Sequence, residues 1–434
     1  MLREIIQKLF KSKVARNAGW IIMGRVAQAL IGIVVGLLTA RYLGPSNYGV
    51  ISYAIAYTTF FNSFCTLGTT SVLVKELTDH PENEGQILGT TIGMRLISSL
   101  LSAAVIVMIS CIVDWGEPVT IRVVIITSLG IVFHVFETFL YWFQYRLASK
   151  TTTIVATIAY VIVAAYRVVL LILNKSVEFF AFATTLDYIL VAILLYIAYK
   201  KQGGSRLNVN WQYGKQLLSK SYHFILTGLM VAIYSQTDKM MLKHMMGSEE
   251  TGYYATAIYV CNMWCFILTA IISSLYPTIM EANNRDQEEF KKRNKLLYAI
   301  VFYMSLTVSL GFTLFAKPII LVLYGEAYLP AVLPMQIATW YTAFSYLGVA
   351  RDAWVVAKER QKYLKWIYVS SAILNVGLNY ILIPVMGASG AALASCAAQV
   401  FTIFGAPLFI KPMRENTKLI AEAIMLKGFI KRKK

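Results

Sequence analysis

Acidic residues are scarce in this chain: 22 Asp and Glu stand against 40 Lys and Arg, a net charge of +18, and charge of either sign occupies only 14% of the 434 positions. Cysteine is nearly as sparse. The five present, Cys65, Cys111, Cys261, Cys265 and Cys396, show no paired spacing that suits a disulfide framework or a zinc site. Cys261 and Cys265 share a helical face but read as small apolar fillers. No stretch matches G-x-x-x-x-G-K-[ST], which excludes an ATP-driven pump in cis.

What the chain does have is apolar length, since 58% of its residues are hydrophobic. Twelve stretches are each long enough to cross roughly 30 Å of hydrocarbon at about 1.5 Å per helical residue. They cover 17–39, 48–74, 87–112, 123–145, 152–173, 179–199, 221–242, 253–280, 296–324, 329–357, 366–384 and 388–410. With the N-terminus inside, 30 of the 40 cations fall on cytoplasmic segments, and only Arg41, Arg122, Lys175 and Lys243 fall outside. Both termini are therefore expected in the cytoplasm. Because the positive charge sits in short loops beside apolar spans, an anionic leaflet explains it better than nucleic acid does.

The first span is too long for a signal-peptide core and lacks a small-residue cleavage site, so it is expected to stay in the mature protein. The 16-residue basic lead before it sets Leu2, Ile5, Ile6, Leu9 and Phe10 against Lys8, Lys11 and Lys13. That pattern predicts an amphipathic helix on the inner membrane surface, and the stretch 417–434 is expected to do the same.

Two short echoes suggest an internal repeat. Gly44, Tyr48, Gly49 and Ala54 correspond in order to Gly247, Thr251, Gly252 and Ala257 at an offset of 203. Trp142, Arg146 and Lys150 match Trp354, Lys358 and Lys362 at an offset of 212, the difference fitting the longer loop 281–295. Two six-span halves follow, entering from the same side and so parallel. The expected organisation is an N-terminal bundle with its lead over 1–199, a linker over 200–220, a second bundle over 221–410 and a basic tail over 411–434.

The run Ala40, Arg41, Tyr42, Leu43, Gly44, Pro45 with Tyr48 and Gly49, after a first span holding Arg25, resembles the Wzx-type polysaccharide flippases. Asp238 and Lys239 ahead of Gly247, Gly252, Tyr254 and Ala257 are similar to the same family. The resemblance implies the superfamily shared with multidrug and toxin extruders and with lipid II flippases. It implies an all-α, MATE-like membrane protein without bound cofactor, two bundles around a central cavity, and alternating access. Its substrate would be an undecaprenyl-diphosphate-linked oligosaccharide of O-antigen or capsule synthesis in a bacterial cytoplasmic membrane. Membrane lipids, a coupling proton or sodium ion and polysaccharide polymerase machinery are the other implied partners. Lipid II flippases usually carry fourteen spans, so twelve favours the repeat-unit branch.

Ionisable residues inside spans cost at least about 2.5–3.5 kcal/mol each at the bilayer centre and need partners. Arg25, Arg95 and Glu137 lie roughly 12 Å from the inner side at about 1.5 Å per residue, with Arg351 and Asp352 shallower. Arg167, Asp187, Asp238 and Lys239 lie toward the outside. Three inner cations against two anions suit a diphosphate, because guanidinium makes forked bonds to phosphate oxygens. Arg25 is the strongest candidate and shares a face with Gln28, Gly32, Gly36 and Thr39. Asn262 and the stripe Ser371, Asn375 and Asn379 are candidate sugar contacts, with polar helix packing the simpler reading. His134 and Glu137, one helical turn apart, form either a structural pair or an ion relay; Asp238, Lys239 and Asp352 are further gating or coupling candidates.

Two other functions compete. A membrane glycosyltransferase or ligase generally needs carboxylates on outer loops, and here the only acidic pairs are Asp114 with Glu117 and Glu249 with Glu250, expected as solvated charges. A drug or cation extruder would be expected to present an acidic cavity, against which the three arginines count.

Overall fold

A computed structural model describes residues 13–427; within the first helix most side chains before Gly32, Arg25 included, lie outside the description, as do those of Ser71, Thr227 and Tyr234. The expected surface helix of the lead therefore lies outside the described residues.

Helices account for nearly all of the described residues, and no strand occurs among them. In hydrocarbon a backbone amide has no water to bond, so a long apolar run satisfies itself as a helix. In the first half these are α1 (Lys13–Thr66), α2 (Thr70–Asp79), α3 (Glu84–Val113), α4 (Pro118–His134), α5 (Thr138–Tyr145), α6 (Ser149–Ile172) and α7 (Val177–Lys201). The second half has α8 (Trp211–Met246), α9 (Ser248–Asn262), α10 (Cys265–Arg285), α11 (Gln287–Tyr324), α12 (Val332–Ala357), α13 (Leu364–Val400) and α14 (Arg414–Ile424).

Among the described residues seven helices are long and apolar enough to cross a membrane, or eight if one bent pair counts as a span. The chain is a multi-pass membrane protein. On α3 the buried face is small and polar, with Gly85, Gly89, Ser99, Ser102 and Ser110, while Ile97, Leu101, Met108 and Ile112 point outward. Small inward residues let helices approach closely, and large outward ones meet lipid tails.

Two glycines interrupt the helical geometry where the sequence calls for a break between spans. Gly44, at φ 71° and ψ 170°, splits α1, and Gly387, at φ 54° and ψ −132°, splits α13. Both need the left-handed half of the map, which side chains with a Cβ rarely adopt.

The described chain divides into two compact units. One runs to Leu43 and resumes over Ala54–Ala232; the other takes Gly44–Tyr53 and everything from Ile233 onward. In the first, Phe139, Trp142, Phe143, Leu77, Leu88 and Tyr199 form an aromatic core. In the second, α11 and α12 pack around Tyr298, Leu347, Trp354 and Ile403. The short α14 joins that core: Asn416 donates to the Tyr298 hydroxyl at 2.6 Å, Tyr303 donates to the Ile424 carbonyl at 2.7 Å, and Lys295 pairs with Glu422. The apolar face expected to rest on lipid is thus taken up by α11 as far as Ile424.

The acids expected to be solvated loop charges are engaged as well. Asp114 is only 4% exposed and accepts from Ser110 at 2.6 Å. Glu250 accepts from the amide of Ala388 at 2.7 Å, satisfying a backbone donor where α13 restarts after Gly387. Glu249 accepts from the Tyr253 hydroxyl at 2.5 Å. Sequence separation hid the Glu250 partner, 138 residues away, whereas Ser110 and Tyr253 each stand one helical turn from the acid they bond.

Candidate functional site

Asp238 is the most elaborately held charge in the second unit. It sits on α8, is 3% exposed, and accepts hydrogen bonds from Tyr254 at 2.5 Å, from Asn379 at 2.6 Å and from Ser395. Asn379 also donates to Asn375 at 3.1 Å, and Asn375 donates to Ser395 at 3.5 Å. Three neutral donors from α9 and the two arms of α13 therefore stabilise one carboxylate. Lys239, the next residue, turns to Gln236 at 3.3 Å. The four-residue spacing of Asn375 and Asn379 makes this cluster half legible in the sequence. Ser395 was not anticipated, because it sits in a run of small residues that reads as packing.

The other candidates of this unit are dispersed. Arg351 is 1% exposed, donates from Nη1 to the Thr402 carbonyl at 3.0 Å, and its Nε and Nη2 find no hydrogen-bond partner among the described residues. Thr402 lies in a π-helical turn, Phe401–Gly405, whose wider winding leaves carbonyls available. Asp352, the next residue, is exposed and makes no ion pair with Arg351 among the described residues, although it lies in its electrostatic reach. Asn262 is exposed and bonds back to the Ile258 carbonyl at 2.9 Å.

In the first unit Arg95 is 2% exposed and its guanidinium meets three threonine hydroxyls: Thr69 at 2.9 Å, Thr138 at 3.1 Å and Thr70 at 3.3 Å. These come from α2, the turn before it and α5, so Arg95 ties three elements together in this conformation. His134 Nε2 lies 3.1 Å from Glu137 Oε2, as their spacing predicts, and the imidazole sits edge-on to Tyr188 at 5.1 Å. Gln28 is partly buried on α1, and Arg25 on the same helix lies outside the described side chains.

The linker expected over 200–220 is strapped to the first unit. Glu84, at the start of α3, accepts from Trp142 at 2.9 Å, Arg146 at 3.0 Å and the Ser205 hydroxyl at 2.6 Å. Arg146 stacks over the Trp142 ring at 4.1 Å. Asn208 donates to the Gly85 carbonyl at 3.1 Å and Asn210 to the Thr90 hydroxyl at 2.9 Å. Glu76 accepts from Lys220 at 2.6 Å and from Tyr213 at 2.7 Å. Burial pushes the Glu76 carboxyl up, but those hydrogen bonds and the Lys220 charge outweigh it and hold the group below the usual carboxylate range. Its share of the stability is present at neutral pH and is lost as pH falls through that lowered value.

A Cβ at Gly89 would lie 2.4 Å from the Asn208 carbonyl oxygen. Gly89→Val is therefore expected to lift the strap and speed tryptic cleavage at exposed Arg206 about tenfold, the scale of roughly 1.4 kcal/mol of local opening. An unchanged cleavage rate would show that the strap does not depend on this contact.

The second echo of the repeat has a physical counterpart. Trp354 is as buried as Trp142, but its Nε1 has no partner among the described residues, and Lys358 lies over the Phe290 ring at 4.9 Å. Where the first unit uses a carboxylate at the start of a helix, the second uses the Gln287 side-chain carbonyl, which accepts from Lys358, with the Phe290 ring beside it.

The first echo is clearer still. Gly247 repeats the backbone of Gly44, at φ 94° and ψ −178° against 71° and 170°. Within the second unit the two copies pack reciprocally. A Cβ at Gly49 would fall 1.8 Å from the Ser248 carbonyl oxygen, and one at Gly252 would fall 2.0 Å from that of Pro45. Each contact maps onto the other through the 203-residue offset. Tyr53 closes the same region, its hydroxyl 2.8 Å from His244 Nε2.

A family described as polysaccharide biosynthesis protein matches residues 14–283. An O-antigen transporter of Salmonella typhimurium is 26% identical over 200 residues, 44% of this chain and 45% of that protein. The chain thus aligns with about half the length of that relative. An O-antigen transporter of Shigella flexneri is 20% identical over 396 residues, 88% of this chain and 94% of that one. Among solved structures, lipid II flippase MurJ in an inward closed conformation has a TM-score of 0.73 at 14% identity, covering 93% of this chain and 91% of that one. An inward-facing multidrug resistance MATE family transporter has a TM-score of 0.68 at 13% identity, covering 91% and 96%. These likenesses establish a MATE-like and MurJ-like fold, and the relatives and neighbours are transporters and flippases.

Proposed function

Since the chain belongs to the polysaccharide biosynthesis protein family, we propose that it carries a lipid-linked oligosaccharide from the inner to the outer face of a bacterial cytoplasmic membrane. The observation that carries this reading is the family match over more than half of the chain. The finer reading is a polyprenyl-diphosphate repeat unit of O-antigen or capsule type, moved by alternating access of two six-span bundles with both termini inside. Charge bias in the loops supports the orientation.

Arg25, with Gln28 on its face, is proposed to grip the diphosphate through forked, charge-assisted bonds. Arg351 is a second proposed contact: a buried guanidinium with two donors unused gains from any state that brings an anion to it. Arg95 is proposed to join them only when its threonine bonds break. Asn375 and Asn262 are proposed sugar contacts. Asp238 is proposed as the gating or coupling carboxylate, because neutral donors alone hold it and a bound or lost proton would change all three bonds together. The reciprocal Gly49 and Gly252 contacts nearby are the proposed outer seal, tight enough that separation is the only way to admit a side chain.

Complementation tests the reading. The gene, placed in a strain lacking its own repeat-unit flippase but making the matching sugar, should restore surface polysaccharide. Accumulation of lipid-linked repeat units inside such cells, with this protein well expressed in the membrane, would reject it.

A further inference from the structure

Two cavities inside the first unit meet at one threonine. The outer one, about 70 Å³, is lined by Val35 of α1, Tyr160 and Arg167 of α6, and Thr184 and Asp187 of α7. The second, about 130 Å³, is lined by Thr58 and Asn62 of α1, Ile131 and His134 of α4, and Thr184 and Tyr188 of α7. Thr184, Asp187 and Tyr188 recur at three and four residues and so share a helix face. Each cavity has several polar groups in a largely apolar wall and is large enough for water, which needs roughly 10–15 Å³ and two or more polar partners.

The groups around these cavities are those that move protons. Asp187 and Arg167 share the outer cavity without a direct ion pair between them among the described residues, and the Arg167 Nε is buried with no hydrogen-bond partner. A cation and an anion held apart in a small polar space are bridged by water at little cost. On the far side His134 meets Tyr188 edge-on and Glu137 at 3.1 Å. Glu137 lies in electrostatic reach of Arg95 on α3, and Asp187 in reach of both Arg167 and Glu137. The titratable and charged groups facing this line among the described residues are Tyr160 and Arg167 from α6, Asp187 and Tyr188 from α7, Arg95 from α3, Tyr141 from α5 and, in reach of Arg95, Cys65 from α1; the polar α1 side chains lining the cavities are the neutral Thr58, Thr59 and Asn62.

We propose that the first unit contains a hydrated proton path running from Asp187 through the water at Thr184 to the His134–Glu137 pair. A proton adds to an Asp187 carboxylate oxygen from the outer side. It then breaks from that oxygen to a cavity water, which passes a proton through the neck at Thr184 to His134 Nδ1. The proton on Nε2 leaves to Glu137 Oε2 and is released from there to the inner side; the imidazole, now protonated on Nδ1, returns to its starting tautomer by moving that proton to Nε2 through water, which restores every group. No electron is transferred, and each O–H or N–H bond broken is matched by one formed. As the energy source for the proposed lipid transport the path rests on that reading; as a proton path it is measured separately.

The full-length protein, reconstituted into vesicles enclosing the pH dye pyranine, is given a potassium-valinomycin potential, inside negative, with and without a lipid-linked oligosaccharide extract. The wild type is expected to acidify the lumen. Asp187→Asn and His134→Gln are expected to slow the initial rate at least about tenfold, the usual scale for loss of a proton-transfer group. Thr184→Val, which keeps every charge but dries the neck, should slow it about threefold and guards against misfolding of the charge variants. Wild-type vesicles that carry no protons under either condition overturn the path, as do variants that keep the wild-type rate. Complementation by the wild type, scored in parallel, tells failure of the path from failure of the flippase reading.

Discussion

Arg25→Ala is expected to reduce surface polysaccharide by about a hundredfold or more at normal protein levels, since two charge-assisted hydrogen bonds of roughly 1.5–3 kcal/mol each would be lost. Arg25→Lys is expected to restore only part of the signal, because an ammonium keeps the charge but loses the planar fork. The assay is the complementing strain, with the protein quantified in membranes. Full export by the alanine protein would remove Arg25 from the substrate site and leave Arg95 as the first unit's remaining proposed diphosphate ligand near the inner face.

Asp238→Leu has the next largest effect, on the fold itself. It would strand Tyr254, Asn379 and Ser395, all of which donate to this one carboxylate. A buried donor left without an acceptor costs about 1–3 kcal/mol, so three of them should lower stability by about 3 kcal/mol or more. Thermal unfolding of the purified protein measures this. Asp238→Asn separates structure from function, because its side-chain oxygen still accepts while the charge is gone. The asparagine protein is expected to unfold near the wild-type temperature, to bind lipid-linked sugar, and to change the accessibility of cysteines placed on α9. If it loses binding and keeps accessibility, Asp238 belongs to the substrate or coupling-ion site instead of the gate.

How much of this was legible in the sequence differs from element to element. The breaks at Gly44 and Gly247 were, because glycine beside turn-favouring residues between two apolar runs has a direct backbone meaning. The pairing of His134 with Glu137 followed from helical spacing alone. Depth, however, says which layer a charge occupies and not what faces it. Arg95 and Arg351 fall in the same inner layer, Arg351 the shallower, yet one meets three threonine hydroxyls and the other a single carbonyl. Glu84 and Glu76 hold the linker with no local signal in the sequence, because the residues that bond them, Ser205 and Lys220, lie 121 and 144 positions away. Ser395 was invisible for the same reason, 157 positions from Asp238.

The most direct measurement of the central claim is translocation itself. Purified protein is reconstituted into vesicles whose inner leaflet carries a polyprenyl-diphosphate oligosaccharide, and the sugar reached from outside by a membrane-impermeant glycosidase is followed over time. The expected result is progressive loss of the inner pool in vesicles containing the wild type and retention in those containing Arg25→Ala. Retention of the inner sugar by wild-type vesicles, with accumulation of a fluorescent organic cation in its place, would contradict the flippase reading and make the protein an extruder.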